Sequence, residues 1–447
     1  MDLMKKIGFS LLALAITLPG CAQPIAASLD TLIDAYMHVS GYSGTVLVAS
    51  KGAVILEKGY GYKDKATKAA NDSNTIFQIG SITKQFTSAI ILQLAEQQKL
   101  SLKDSLTKYI PDYPRGNEIT IEELLTHESG VYNYTNDPRL AQNGGGHPIP
   151  RDSMIARFKY KPLDFTPGQK FGYSNSGYFL LGYIIEKVTG QSYFQVVRER
   201  IFGPLHMDHS GFDFTHLQSP DKAVGYSSPE TADPASIVDS TIAFSAGSVY
   251  TTVGDLYRWD CGLRAGKIIS QALQQQAYTP HLGQYGYGWM ISEVDGKKVV
   301  EHGGAITGFI SNIRRVPADE TCIVVLENQQ RGGDPGKMSR DINSELDGKA
   351  VKLPVAKVAI TVDTALLRQY VGQYQLAPNF ILTISVQEGS LYAQATGQGR
   401  TKLYAEKKDL FFPKEIDADI EFVRGATGDV EKLILHQNGR DVPAKRL

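Results

Sequence analysis

The chain has 447 residues, 42% hydrophobic and 21% charged, with 46 basic against 47 acidic side chains and three cysteines. Its length suits two domains or one large one, with a sizeable core in either case. Balanced charge excludes a simple phosphate-neutralising binder of nucleic acid, and three cysteines are too few to staple a small scaffold.

Lys5 and Lys6 precede an apolar run from Ile7 to Leu18, which has the length of a signal-peptide core and is too short to span a bilayer. Residues 1–22 are therefore expected to be a leader, and the chain to be exported to the periplasm or cell surface. Leu18-Pro19-Gly20-Cys21 resembles a bacterial lipobox, whose cysteine is lipidated and attaches the mature chain to a membrane, although Pro19 departs from the usual small residue. Ordinary cleavage near Ala22 is the alternative, and both stay open.

Thr45 to Ala49 and Ala53 to Gly59 read as a hairpin across Ser50-Lys51-Gly52. From Ile82 to Leu94 apolar residues cover more than one face, which predicts a helix buried in the interior. Further helices are expected at 121–127, 152–160, 177–188, 192–201 and 253–263, and strands at 285–291, 297–302, 308–316 and 321–327. Strands at both ends of a helical middle predict one sheet built from the two chain ends. One more helix is expected from Ser339 to Leu346, and a boundary near 355. Beyond it come short alternating runs, Phe380 to Val386, Ser390 to Gln394, Thr401 to Ala405, Leu410 to Pro413, Ile420 to Val423 and Leu433 to His436. They predict a small barrel or sandwich. Cys261 and Cys322 lie in apolar contexts and are expected as buried small hydrophobes.

The chemistry concentrates in three short segments. In Gly80-Ser81-Ile82-Thr83-Lys84 a serine opens a buried helix, where backbone N–H groups and the helix dipole favour a developing oxyanion. Lys84 lies one turn on, and burial would leave its amine neutral and able to take the serine proton. Ser-x-x-Lys recurs at Ser105 to Lys108 and Ser219 to Lys222, but neither opens an apolar helix. Tyr173-Ser174-Asn175 offers a phenol to relay protons and an amide to orient substrate and lysine. A competing Tyr134 to Asn136 sits in what reads as a loop. His302-Gly303-Gly304 closes a strand whose glycines admit another backbone along its edge.

In this order the segments resemble the serine β-lactamase and D-Ala-D-Ala peptidase superfamily, nearest its class C β-lactamase and peptidase S12 branch. The resemblance extends to Leu124-Leu125-Thr126-His127-Glu128-Ser129-Gly130 and Ala246-Gly247-Ser248-Val249-Tyr250-Thr251-Thr252. It implies an α+β fold, an antiparallel sheet flanked by helices, over 28–345. The tail, 360–447, resembles a β-rich domain of unknown function often appended to such hydrolases, including Leu391 to Gln398 and Leu435-His436-Gln437-Asn438-Gly439.

By that resemblance Ser81 would be the acylated nucleophile, Lys84 its base and Tyr173 the proton relay. Asn175, His302, Gly303, Gly304 and Ala305 would bind substrate, with the N–H groups of Ser81 and Ala305 as oxyanion hole. No metal or organic cofactor is implied, and the partner is a small-molecule or peptide substrate. Class C β-lactamases usually carry lysine where this chain has His302. An imidazole with a pKa near about 6.5 anchors a carboxylate less firmly, which shifts the expectation from β-lactamase to peptidase, amidase or esterase, with the histidine's charge setting recognition of anionic substrates. An inactive cell-wall binding module is the non-enzymatic alternative.

Other patterns carry less. Ala243-Phe244-Ser245-Ala246-Gly247 nearly matches a nucleophile elbow, but it lacks the first glycine, and the glycine-rich segment that would serve as oxyanion loop follows it instead of preceding it. His206, Asp208, His209 and His216 read as a polar loop, not a zinc site. His127 is expected to be a hydrogen-bonded structural histidine, and the aromatic run Tyr285 to Trp289 a packed strand.

Overall fold

The structure, a computed structural model, describes residues 22–137, 146–330, 332–378, 380–413, 418–437 and 440–447. Residues 1–21 of the expected leader, Cys21 among them, lie outside them.

Lys51 and Gly52 take φ values of 52° and 74°, the pair of left-handed residues that a two-residue hairpin turn requires. β1 (Gly44–Ser50) and β2 (Ala53–Tyr60) therefore fold back on each other as expected. The other edge of β1 takes β6 (Thr321–Glu327), with Gly44 opposite Glu327 and Ala49 opposite Cys322. With β3 (Met290–Val294), β4 (Lys297–Ile306) and β5 (Phe309–Val316), the six strands run in the order β2-β1-β6-β5-β4-β3, joined by antiparallel pairings. The two chain ends thus build one sheet.

Successive side chains of a strand point to opposite faces, and here both faces are covered. Val46 and Val48 of β1 and Ile323 and Val325 of β6 pack with Leu29, Leu32, Ile33 and Tyr36 of α1 (Ala22–Ser40) and Met338 and Ile342 of α6 (Pro335–Leu346). Leu47, Ala49, Val324 and Leu326 face the larger core. That core holds α2 (Thr83–Glu96), α3 (Asn175–Thr189), α4 (Ser240–Gly247) and α5 (Val253–Arg264), all between β2 and β3 in sequence. Phe86 of α2 and Trp259 of α5 meet there with ring centroids 4.6 Å apart. Cys322 is buried on β6, whereas Cys261 on α5 is only half-buried, against Arg264.

The structure corrects the sequence reading in further places. α1 and α4 were not expected. Tyr285 to Trp289 is a turn, not a strand: Gly286 N–H donates to the Trp289 carbonyl at 2.8 Å, Gly288 has φ 84°, and the strand starts only at Met290. The expected helix at 192–201 divides into α-helix at Tyr193–Val197 and a wider helical turn at Arg198–Phe202.

The tail is a closed barrel of eight strands, β7 (Gly372–Ala377), β8 (Phe380–Gln387), β9 (Ser390–Ala395), β10 (Arg400–Lys407), β11 (Leu410–Pro413), β12 (Ala418–Arg424), β13 (Val430–Gln437) and β14 (Arg440–Arg446). Closure comes from Tyr374 of β7 pairing with Arg446 of β14. A barrel this size has an interior that side chains fill, and Tyr374, Leu382, Ile384, Leu391, Phe411, Phe422 and Leu433 form its core.

Candidate active site

Gly80–Ile82 forms a short 3-10 turn that runs directly into α2. Gly80 has φ 51°, and a Cβ there would lie 2.7 Å from the Ala305 nitrogen; one on Gly304 would lie 1.9 Å from the Ile79 carbonyl oxygen. Two glycines from distant segments thus let the serine turn lie flush against the end of β4, which places the backbone of Ser81 beside that of Ala305.

One turn into α2, Lys84 is fully buried. Its Nζ lies 3.0 Å from Ser81 Oγ, 2.8 Å from Asn175 Oδ1 and 2.8 Å from the Ala246 carbonyl oxygen. Burial holds its pKa well below the ordinary 10.5. A neutral amine has two hydrogens and one lone pair. Asn175 Oδ1 and Ala246 O can only accept, so in the neutral form they take both hydrogens, and the lone pair then faces the hydroxyl of Ser81. That is the arrangement of a base with its proton donor.

Both acceptors are fixed by structure the sequence did not reveal. Asn175, the first residue of α3, donates its backbone N–H to Asn133 Oδ1 at 3.1 Å and its Nδ2 to Thr135 Oγ1 at 3.3 Å. With its Nδ2 on Thr135, the amide presents its oxygen to Lys84. The Tyr134 to Asn136 segment, set aside as a competing motif, is therefore part of the site as a support. Ala246 is aimed by a break in α4, where Phe244 takes φ 40° and ψ −134°, a costly conformation for a residue with a Cβ. Thr87 Oγ1 donates to the adjacent Ser245 carbonyl at 2.7 Å, and Ser245 Oγ donates to that of Tyr178 at 2.8 Å. Fully buried and so bonded, Ser245 is no nucleophile elbow.

Tyr173 reaches the site from the residues just before α3. Its hydroxyl lies near enough to Ser81 to feel it, and burial, the larger influence, keeps it protonated by raising its pKa above the ordinary value. Lys84 Nζ lies 4.9 Å from the centre of its ring.

His302 departs from the expectation. It is only 3% exposed. Its Nδ1 lies 2.6 Å from the Gly303 carbonyl oxygen and its Nε2 2.8 Å from Tyr285 Oη. The carbonyl can only accept, so Nδ1 carries the hydrogen and Nε2 accepts from the phenol. Burial first, and the field of Lys84 second, push its pKa down to about 3. An uncharged ring with both nitrogens occupied does not anchor a carboxylate, which corrects the role that the sequence reading gave its charge.

Beside Ser81 opens a cleft of about 420 Å³, whose lining includes Thr135, Asn175, Val238, Ile242, Ala243 and Ala305 and, among the described residues, no charged side chain. The competing serine–lysine pairs stand apart. Lys108 pairs with Asp104 at 2.8 Å, and Lys222 Nζ donates to the carbonyls of Thr215 and Leu217 at 3.3 and 3.4 Å. Among the described residues no group of three or more His, Cys, Asp or Glu is placed to hold a metal ion; His216 pairs with Asp213.

A helix-opening serine, a buried lysine in hydrogen-bond contact with it and a phenol beside the same hydroxyl, over an antiparallel sheet, define a class of serine hydrolase. The chain belongs to the Beta-lactamase family, whose profile matches residues 29–346, and residues 356–445 match a domain of unknown function, DUF3471. It is 26% identical to Penicillin-binding protein 4* of Bacillus subtilis (strain 168), over 94% of this chain and 98% of that one. Among solved structures it is similar to the octameric penicillin-binding protein homologue from Pyrococcus abyssi, with a TM-score of 0.67 and 25% identity over 94% of this chain and 99% of that one. It is similar also to a D-stereospecific amidohydrolase from Streptomyces sp., with a TM-score of 0.62 and 25% identity over 75% of this chain and 99% of that one.

Proposed function

We propose that the chain is an exported hydrolase that works through an acyl-enzyme on Ser81. Lys84 takes the hydroxyl proton as Ser81 attacks a carbonyl, and the N–H groups of Ser81 and Ala305 receive the oxyanion. Tyr173 delivers a proton to the leaving group and then takes one from the water that frees the acyl group. Asn175 holds the lysine amine and meets the substrate at the cleft wall, and the backbone of Gly303 and Gly304 offers the substrate a strand edge. The single observation that carries this reading is the bonding of Lys84, whose two fixed acceptors leave its lone pair on Ser81.

For substrate we propose a D-amino-acid amide or peptide first, an ester second and a β-lactam third. The absence of charged side chains among the described residues of the cleft lining and the neutral His302 support acyl donors that need no cationic anchor, and the similar amidohydrolase from Streptomyces sp. is D-stereospecific. Periplasmic or surface location, with attachment through a lipidated Cys21, is part of the same proposal, supported by Lys5, Lys6 and the apolar run behind them.

The test is labelling of the purified protein with a fluorescent penicillin and a fluorophosphonate, beside Ser81→Ala and Ser105→Ala. Labelling should vanish in the first variant only. If it survives Ser81→Ala the nucleophile is another residue, and if the unaltered protein takes neither probe it is a binding module. Rates on a D-amino-acid amide, a p-nitrophenyl ester and a chromogenic cephalosporin then rank the three substrate classes.

A further inference from the structure

His127 touches Tyr173 from three directions. Its carbonyl accepts the N–H of Gly172 at 2.9 Å, and its Nδ1 accepts the N–H of Ser174 at 3.1 Å, so both chain neighbours of Tyr173 hang on one histidine. Its ring lies against the phenol ring between them, with centroids 4.2 Å apart and planes at 38°. Any residue could offer the carbonyl to Gly172, but the bond to Ser174 needs the ring nitrogen, and packing alone would not supply it.

The histidine is itself held in an unusual way. It is 1% exposed, and it takes a left-handed φ of 62° just after the short helix Ile121–Leu125, a conformation costly for most residues that carry a Cβ. Because Nδ1 accepts, Nε2 carries the hydrogen, and that buried N–H has no hydrogen-bond partner among the described residues. Tyr285, Tyr178 and Phe171 surround the ring at 4.7, 5.1 and 5.9 Å. Backbone strain and an unsatisfied buried donor each destabilise the fold. A larger apolar ring would fill the same space without the orphaned donor, but it could not accept from Ser174.

We propose that His127 is a positioning residue that clamps Tyr173 by both flanking peptides and by ring contact, and so holds the phenol hydroxyl toward Ser81. This rests on the reading of Tyr173 as proton relay. The clamp acts on rate rather than on substrate affinity, because His127 is not among the described residues that line the cleft.

The experiment is a double-mutant cycle on the full chain, with kcat, KM and melting temperature measured on p-nitrophenyl butyrate. His127→Phe keeps a ring and loses the Nδ1 acceptor; His127→Asn suits the left-handed backbone and loses the ring. Displacement of a catalytic group by about 1 Å costs on the order of 10²-fold, so each folded variant should lose about tenfold or more in kcat with KM little changed. In a Tyr173→Phe background the same substitutions should change kcat by less than about twofold, since the hydroxyl they position is gone. Unaltered kcat in the folded His127 variants overturns the clamp, as does an equal loss in both backgrounds, which is the mark of a merely structural role. If Tyr173→Phe alone keeps the parent kcat, the relay reading fails and the clamp with it, an outcome distinct from failure of the clamp alone.

Discussion

Lys84 has to be buried to be a base, and burial has a stability consequence with a definite sign. In the unfolded chain the amine binds a proton at any pH below about 10.5; in the folded chain its pKa is held well below that value by desolvation. Between the two values the unfolded state carries more protons, so stability falls as the pH is lowered and levels off only below the folded pKa. Lys84→Met removes this linkage. The variant should lose labelling by both serine probes, and its melting temperature relative to the parent should be higher at about pH 6 than at about pH 9. An equal difference at both pH values would show that Lys84 has its ordinary pKa. His302 makes the opposite prediction. With its pKa pushed down to about 3, it does not titrate between about pH 5.5 and 8. The ratio of kcat/KM for a substrate carboxylate to that for its neutral amide should therefore change with pH there to the same extent in the parent and in His302→Gln. A pH dependence that the substitution abolishes would restore the charged role.

The elements that carry the site meet through glycines, which makes their contact brittle. β4 and the serine turn approach so closely at Gly304 that a methyl group would overlap the Ile79 carbonyl, itself backbone and unable to swing aside. Gly304→Ala should cost about 1–3 kcal/mol and, by moving Ser81 away from Ala305, lower kcat/KM by about a hundredfold; denaturant unfolding and steady-state kinetics check the two parts. The serine, lysine, tyrosine and glycines were legible in the sequence because each sits in a short segment with its own local pattern. Their supports were not. Asn133 and Thr135 lie in a polar loop with no periodicity, and Ala246 contributes a carbonyl oxygen that every residue type possesses. Its direction depends on the break at Phe244, which no propensity encodes. His302 misled for a related reason, since the residue type was plain and its burial was not.

At the scale of the whole molecule the chain has separate cores, and the barrel core is its own. Tyr370 stacks on Phe422 with centroids 4.5 Å apart, and Phe411 packs edge-on to both. Closure leaves no open strand edge. A fragment of residues 356–447 should therefore unfold cooperatively on its own, followed by circular dichroism; a fragment without a transition would show that the barrel depends on the rest of the chain. Six of its strands were legible as alternating runs. β7 and β14 were not, because Gly372–Ala377 has few apolar residues and Arg440–Arg446 is charged at both ends and interrupted by Pro443. They are the two strands whose pairing closes the ring.

The pairing of β1 with β6 also sets a timetable for biosynthesis. Gly44 must wait for Glu327, and at 5–20 residues per second the ribosome takes on the order of 15–60 s to make the intervening chain. Throughout that interval β1 has β2 on one side and nothing on the other, an apolar strand with a bare edge of the kind that recruits wrong partners. Neither the Gly304 contact nor Ala305 exists until the last part of it. The chain is therefore a long-lived client for whatever holds it unpaired, on the ribosome or during export, and the site assembles in one late event once both ends of the sheet are free to pair.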